Sequence, residues 1–141
     1  MKILFVCTGN TCRSPMAQVM AAQLFGKHHE VASAGIMAMP KQKASKHAIE
    51  AMKQRQIDLT KHKSQMLSEK LLNWADLVLT MTESHKSAIS DDKVHTLGEY
   101  AATKVSISDP FGGDLDTYLS CAKEIYDLLI KIEHKLKGEK K

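Results

Sequence analysis

Short unbroken apolar runs alternate along this chain with longer stretches whose apolar residues recur every three or four positions. Lys2–Cys7 (KILFVC) is continuous and carries Ile, Phe and Val, the pattern of a strand buried on both faces of a parallel sheet. A polar, Gly-containing loop follows over 8–14, and Pro15 then sits where proline suits the first turn of a helix. Residues 16 to about 27, rich in Ala, Gln, Met and Leu, predict that helix, with Gly26 near its end. Glu30–Gly35 predicts a second strand, Pro40 marks a loop, and 44–54 reads as helical. Residues 57–63 read as a polar connection. Ser68 is placed to cap a helix over Glu69–Trp74. The run 77–81 predicts a third strand, 82–89 a short helix capped by Thr82, and 94–97 a fourth strand. Residues 106–114 (SISDPFGGD) are dense in turn formers. From 115 to about 136, Leu119, Ala122, Ile125, Leu128, Leu129 and Ile132 fall at helical spacing, the apolar stripe of a long final helix.

Strands alternating with helices predict an α/β three-layer sandwich, with a four-stranded parallel sheet in the flavodoxin-like order 2-1-3-4 and helices on both faces. A length of 141 residues suits one domain, placed at 1–137, with a frayed tail at 138–141. No apolar run approaches the ~20 residues of a membrane span. The run at 3–6 is shorter than the roughly 7–15 apolar residues of a signal-peptide core. The expectation is a cytoplasmic protein that binds no membrane. A net charge of +4 with scattered basic residues and only 5% aromatic residues supplies no stacking platform for bases, so no nucleic-acid partner is expected. Three cysteines make no disulfide framework. No large exposed apolar patch is suggested, and a monomer is expected.

The chemistry concentrates in Cys7-Thr8-Gly9-Asn10-Thr11-Cys12-Arg13-Ser14, between the first strand and the first helix. In open α/β sheets ligands bind at the carboxyl ends of strands. A loop entering a helix points backbone N–H groups at one spot, and the helix dipole adds roughly half a positive charge there, so an oxyanion binds. A sulfur anion at Cys7 gains from the same field and suits a nucleophile. Arg13, at the spacing C-x5-R, offers a planar fork for two phosphoryl oxygens. Gly9 permits close backbone approach or a positive φ, Asn10 tolerates a left-handed backbone, and Ser14 is placed to hydrogen-bond the Cys7 sulfur. Cys7 and Cys12 alone form half a zinc-type set. No matching Cys/His pair follows, so neither metal nor cofactor is expected.

Val6–Pro15 as VCTGNTCRSP resembles the signature of the low-molecular-weight protein tyrosine phosphatase family. The likeness extends to Ser33-Ala34-Gly35, His62-Lys63-Ser64, Leu79-Thr80-Met81 with the turn after it, and Asp109-Pro110-Phe111. It implies phosphorylated protein substrates, with Cys7, Arg13 and Asp109 as catalytic residues. Cys7 would form a cysteinyl-phosphate, Arg13 and the loop 8–14 would hold the oxygens, and Asp109 would act as acid and then base. Asn10, Ser14, Ser33 and His62 would form a supporting network. Cys12 would pair with Cys7 on oxidation and protect it. Cys121, on the apolar face of the last helix, reads as core.

Two features bear on the substrate. Thr11 stands where tyrosine-directed members commonly carry an apolar branched residue, and Phe111 is followed by Gly112-Gly113 where they usually carry a second aromatic. One aromatic wall and a polar pocket base suit a guanidinium better than a phenyl ring. The combination resembles the protein-arginine-phosphatase branch of the family, with phosphotyrosine as the alternative substrate. Thiol-dependent arsenate reductases share the loop but need two further, neighbouring cysteines. A non-catalytic oxyanion-binding module would be expected to lack Cys7, Arg13 or Asp109. The role of the loop 36–39 is left open between lining the pocket entrance and packing.

Overall fold

A computed structural model describes residues 1–139. Four strands, β1 (Lys2–Cys7), β2 (Glu30–Gly35), β3 (Leu77–Thr80) and β4 (Val94–Thr96), form one parallel sheet in the order β2-β1-β3-β4. β1 and β2 fall on the residues the apolar runs marked, and β3 and β4 each stop one residue short. The central strand β1 is buried throughout Ile3–Cys7, which accounts for its unbroken apolar run.

Alternate residues of β1 face two separate cores. Ile3, Phe5 and Cys7 join α1 (Arg13–Phe25), α2 (Lys46–Lys53) and α6 (Leu115–Glu139) through Met16, Met20, Met52, Ile125 and Leu129. Leu4 and Val6 join Val78, Val94 and Ile89 beneath α3 (Glu69–Trp74) and α4 (Glu83–Ser87), with Leu71, Leu72 and Trp74 packed against them. The sheet is therefore covered on both sides.

Local signals set the element ends. Ser45, Ser68 and Thr82 each accept a hydrogen bond from a backbone N–H in the first turn of α2, α3 and α4. α1 begins at Arg13, so Arg13 and Ser14 belong to the helix rather than to the loop before it. It ends at Phe25 because Gly26 takes φ 69°, and the expected continuation to 27 is a 3-10 turn over Gly26–His28. A further short helix, α5 (Leu97–Tyr100), starts on the last residue of the expected fourth strand and runs into residues given no element above; a capping box between Thr96 and Glu99 holds it. α6 extends through Glu139, so the expected frayed tail at 138–141 is helical over its first two residues. Its last two lie outside the described residues. Among the described residues no helix is long and apolar enough to cross a membrane.

The sheet delivers the loop after β1 to the mouth of the molecule. Cys7 pairs in register with Gly35 at the carboxyl end of β2. The chain beyond β2 folds back over the loop, with Ile36 N–H donating to the Cys7 carbonyl (3.0 Å) and Met37 N–H to the Thr8 carbonyl (2.9 Å). The loop 36–39 thus backs the phosphate-type loop from behind; Ala38 is buried in it while Met37 and Met39 face outward. A Cβ on Gly35 would stand 2.5 Å from the Thr8 carbonyl oxygen and 2.9 Å from the Asn10 nitrogen, so only glycine fits. Gly35→Ala is expected to destabilise the protein by about 1–3 kcal/mol, the range for overpacking. Urea unfolding checks it, and an unchanged midpoint with an unchanged slope would show that the two backbones are free to separate.

Candidate active site

Cys7, Thr8, Gly9, Thr11, Cys12, Arg13, Asp109 and Phe111 line one cleft of about 250 Å³ at the carboxyl end of β1. The loop between β1 and α1 curls because Asn10 takes the left-handed conformation (φ 57°). Gly9 does not have a positive φ, and a Cβ there would meet only Thr11 Oγ1 at 3.7 Å, so the expected conformational need for glycine falls on Asn10 instead. Among the described residues no side chain caps α1, which leaves its first-turn N–H groups without a side-chain acceptor.

The Cys7 sulfur is buried and lies 2.9 Å from Ser14 Oγ. Asn10 Nδ2 donates to that same hydroxyl oxygen (2.8 Å) and to Ser33 Oγ (3.0 Å). With Asn10 occupying a lone pair of Ser14, the Ser14 proton has two acceptors in reach, the Cys7 sulfur and, at 3.5 Å, the Ala34 carbonyl. Ser33 in turn donates to Gln18 Oε1 (2.6 Å). Asn10 Oδ1 accepts from Gln65 N–H (3.0 Å), and the Asn10 carbonyl accepts from His62 Nε2 (2.7 Å). That bond assigns the proton to Nε2 of His62, because a carbonyl only accepts. Half-burial of the ring moves the His62 pKa below its ordinary value, against the pull of this hydrogen bond. The structure therefore joins Asn10, Ser14, Ser33 and His62 in one network, and it adds Gln18 and Gln65. Gln18 comes from α1 itself, four residues beyond Ser14, whereas Gln65 arrives from a connection 55 positions from Asn10, which no local pattern marks.

Arg13 is 4% exposed. Its Nη1 donates to the Ile107 carbonyl (2.9 Å), Nη2 donates to Thr8 Oγ1 (3.4 Å) and lies 3.7 Å from Asp109 Oδ2. Its buried Nε has no hydrogen-bond partner among the described residues. One edge of the guanidinium is thus anchored, and the Nε–Nη2 edge holds only long contacts. A buried donor without a partner is costly, and two parallel N–H groups match two oxygens of a tetrahedral anion. The Asp109 side chain is 52% exposed, and its Oδ1 accepts from Phe111 N–H (3.1 Å), closing a turn over the cleft. Phe111 is 78% exposed. The two glycines after it have conformational duties as well as an effect on the wall: Gly112 takes φ 83°, and a Cβ on Gly113 would meet Thr117 at 2.8 Å.

Cys12 turns its sulfur toward α6, 3.3 Å from the Tyr118 hydroxyl and 3.6 Å from Ser45 Oγ. Burial and this contact raise the Tyr118 phenol to about 12. Cys121 is buried, and burial raises its thiol to about 12. It packs in the core, its sulfur 3.9 Å from the Ser108 carbonyl. All three cysteines are free. Beneath Thr8 lies a buried histidine, His85, whose Nε2 is 2.8 Å from Thr8 Oγ1. The turn after β3 was legible in the sequence; the partnership of its histidine with Thr8 was not.

Residues 2–141 match the family described as low molecular weight phosphotyrosine protein phosphatase. A protein-arginine-phosphatase of Bacillus subtilis is 43% identical, with both chains covered in full. A low molecular weight protein-tyrosine-phosphatase, PtpB, of Staphylococcus epidermidis is 41% identical, covering 96% of this chain and 99% of the relative. A solved structure of the YwlE arginine phosphatase, a Cys-to-Ser mutant with a phosphorylated active site serine, superposes with a TM-score of 0.92 at 44% identity, covering 97% of this chain and 96% of that one.

Proposed function

The chain belongs to the low molecular weight phosphotyrosine protein phosphatase family, and from that premise we propose that it hydrolyses phosphoarginine in proteins through a phosphoryl group carried on Cys7. The observation that carries the reaction type is the pairing of the Cys7 sulfur, 2.9 Å from Ser14, with the unpartnered Nε of Arg13 in one cleft. The sulfur anion attacks phosphorus. The P–N bond breaks, its electron pair stays on the guanidino nitrogen, and Asp109 delivers a proton there. Arg13 and the loop amides hold the three equatorial oxygens, where the transition-state charge resides. Asp109, now a base, takes a proton from water. The water oxygen attacks phosphorus, the P–S bond breaks, and the electron pair returns to Cys7 beside the Ser14 hydroxyl. The products are free arginine in the protein and inorganic phosphate.

Identity alone does not choose the substrate, because relatives named for arginine and for tyrosine stand at 43% and 41%. The pocket supports arginine. Thr11 lines the cleft with a hydroxyl, and Phe111 is its one aromatic wall. The Asp109 carboxylate at the rim complements a guanidinium cation. Phosphotyrosine is the second reading, favoured by that same Phe111 ring and by the tyrosine-named relatives. The specificity constants for phosphoarginine and phosphotyrosine peptides, measured side by side, decide between them. The wild type is expected to prefer phosphoarginine. Thr11→Ile is expected to move the ratio toward phosphotyrosine by about 10-fold or more, as a small change of pocket lining does. A wild-type preference for phosphotyrosine overturns the arginine reading.

The catalytic unit in this proposal is one chain, residues 1–137, since every residue named comes from it, and its setting is the cytoplasm, where Cys7 stays reduced. A peroxide would convert Cys7 to a sulfenic acid; Cys12 would then attack that sulfur, releasing water and forming a disulfide that a thiol reductant reopens. The Cys12 side chain would have to leave its contacts with Tyr118 and Ser45 to do so.

A further inference from the structure

His85 takes part in no step described above, yet it is 4% exposed, with one ring nitrogen on Thr8 of the cleft and the other on Thr82 behind it. It stands in the first turn of α4. Its backbone N–H donates to Thr82 Oγ1 (3.3 Å), and its Nδ1 lies 3.1 Å from the same oxygen. Thr82 is fixed in turn by Thr80, whose hydroxyl donates to the Thr82 carbonyl (2.9 Å). On the other side of the ring, Nε2 meets Thr8 Oγ1 at 2.8 Å, and Thr8 Oγ1 also accepts from Arg13 Nη2. A continuous chain runs from the end of β3, through the imidazole, to the corner of the guanidinium that faces the cleft.

That corner is where the fork is least constrained. The Ile107 carbonyl fixes Nη1, but a guanidinium held at one nitrogen still swings about it. At Nη2 only Thr8 and Asp109 are near. Asp109 is half exposed, and in the reaction proposed above it changes charge twice, so it is not a constant partner. Thr8 keeps its chemistry throughout, provided its own hydroxyl is held. Thr8 is partly exposed, and among the described residues its carbonyl accepts one backbone hydrogen bond, from Met37 N–H.

We propose that His85 is a positioning residue for phosphoryl binding: by gripping the Thr8 hydroxyl from beneath, it keeps Thr8 on Arg13 Nη2 and so aims the guanidinium fork at the oxyanion. The inference rests on the reading of the cleft as a phosphoryl site. Burial and the charge of Arg13 take the His85 pKa down to about 4, with Asp109 opposing, so the ring is neutral near pH 7. A neutral ring adds no positive charge beside Arg13 and offers one donor and one acceptor to two hydroxyls.

The test is inorganic phosphate binding by calorimetry, with peptide turnover measured in parallel, for wild type, His85→Leu, His85→Gln, Thr8→Val and the double variant His85→Leu/Thr8→Val. His85→Leu and Thr8→Val are each expected to weaken phosphate by about 10-fold, the effect of one net hydrogen bond. The double variant is expected to be no weaker than the worse single, because both changes cut the same chain. His85→Gln, which keeps a donor and an acceptor, is expected to recover to within about threefold of wild type, a rescue that a merely space-filling histidine would not show. Phosphate affinity of His85→Leu within about twofold of wild type, or losses that multiply in the double variant, overturns the proposal. If His85→Leu does not fold, His85→Gln decides against Thr8→Val: loss in both refutes the rescue. Wild-type protein that binds phosphate but turns over neither phosphopeptide would sink the functional reading while leaving the His85 comparison readable.

Discussion

Cys7→Ser is expected to lower steady-state turnover by about 10⁴-fold or more while still allowing one phosphoryl group onto the protein. The reason lies in what the site stabilises. Ser14 Oγ sits 2.9 Å from the sulfur, and Asn10 donates into Ser14, so the hydroxyl is held beside residue 7. An alkoxide is far harder to form than a thiolate, so attack slows. The second step suffers as well. Hydrolysis of the intermediate must expel residue 7 as an anion, and an alkoxide is a much poorer leaving group than a thiolate. A serine ester formed slowly at this position is therefore expected to persist. A solved arginine phosphatase with serine in place of its active-site cysteine carries a phosphorylated active site serine, at 44% identity to this chain. Steady-state kinetics and intact-protein mass after incubation with a phosphorylated peptide check both parts. Turnover within about tenfold of wild type would remove Cys7 from the nucleophile's role.

The elements on which the site is built were legible because their causes are local. β1 is readable from KILFVC, since a strand covered on both faces must be apolar at every position. The caps at Ser68 and Thr82 are readable because one hydroxyl satisfies one orphan N–H within three residues. The C-x5-R spacing between that strand and a proline-started helix places nucleophile and fork on one curl of backbone. What stayed hidden depends on contacts distant in sequence. Thr8 and His85 are 77 positions apart, Asn10 and Gln65 are 55 apart, and Cys12 and Tyr118 are 106 apart. No periodicity encodes such meetings; the parallel sheet brings Thr8 to His85 by aligning the ends of β1 and β3, and the packing of α6 on α1 brings Tyr118 to Cys12. Gly112-Gly113 shows the opposite hazard. The pair reads as an opening of the pocket wall, yet φ 83° at Gly112 and the approach of Thr117 to Gly113 require glycine for the turn itself. The weight of the arginine reading therefore rests on Thr11, the rim carboxylate and the single ring of Phe111. α5 escaped notice although Thr96-Leu97-Gly98-Glu99 spells a capping box, because four residues with a central glycine carry almost no helical signal.

Asp109→Asn is expected to slow the reaction by about 10²–10⁴-fold with phosphoarginine, and far less with an aryl phosphate whose leaving group needs no proton. The substitution is nearly isosteric, and its side-chain oxygen can still accept the Phe111 N–H that closes the turn over the cleft. The loop is therefore expected to hold its shape, and the long contact from Oδ2 to Arg13 Nη2 loses charge but not position. What disappears is the capacity to transfer a proton. For a guanidino leaving group this is decisive, because the P–N bond breaks with its electron pair left on a strongly basic nitrogen, which leaves poorly until it is protonated. A nitrophenolate leaves unaided, so its first step tolerates the amide. The variant also loses its base for the water that cleaves the phosphorylated cysteine, so even with an aryl ester the phosphoryl enzyme is expected to accumulate as a burst. A leaving-group series read by rapid-quench kinetics separates the two steps. Equal slowing across the series, with no burst, would mean that Asp109 acts only through its charge beside Arg13.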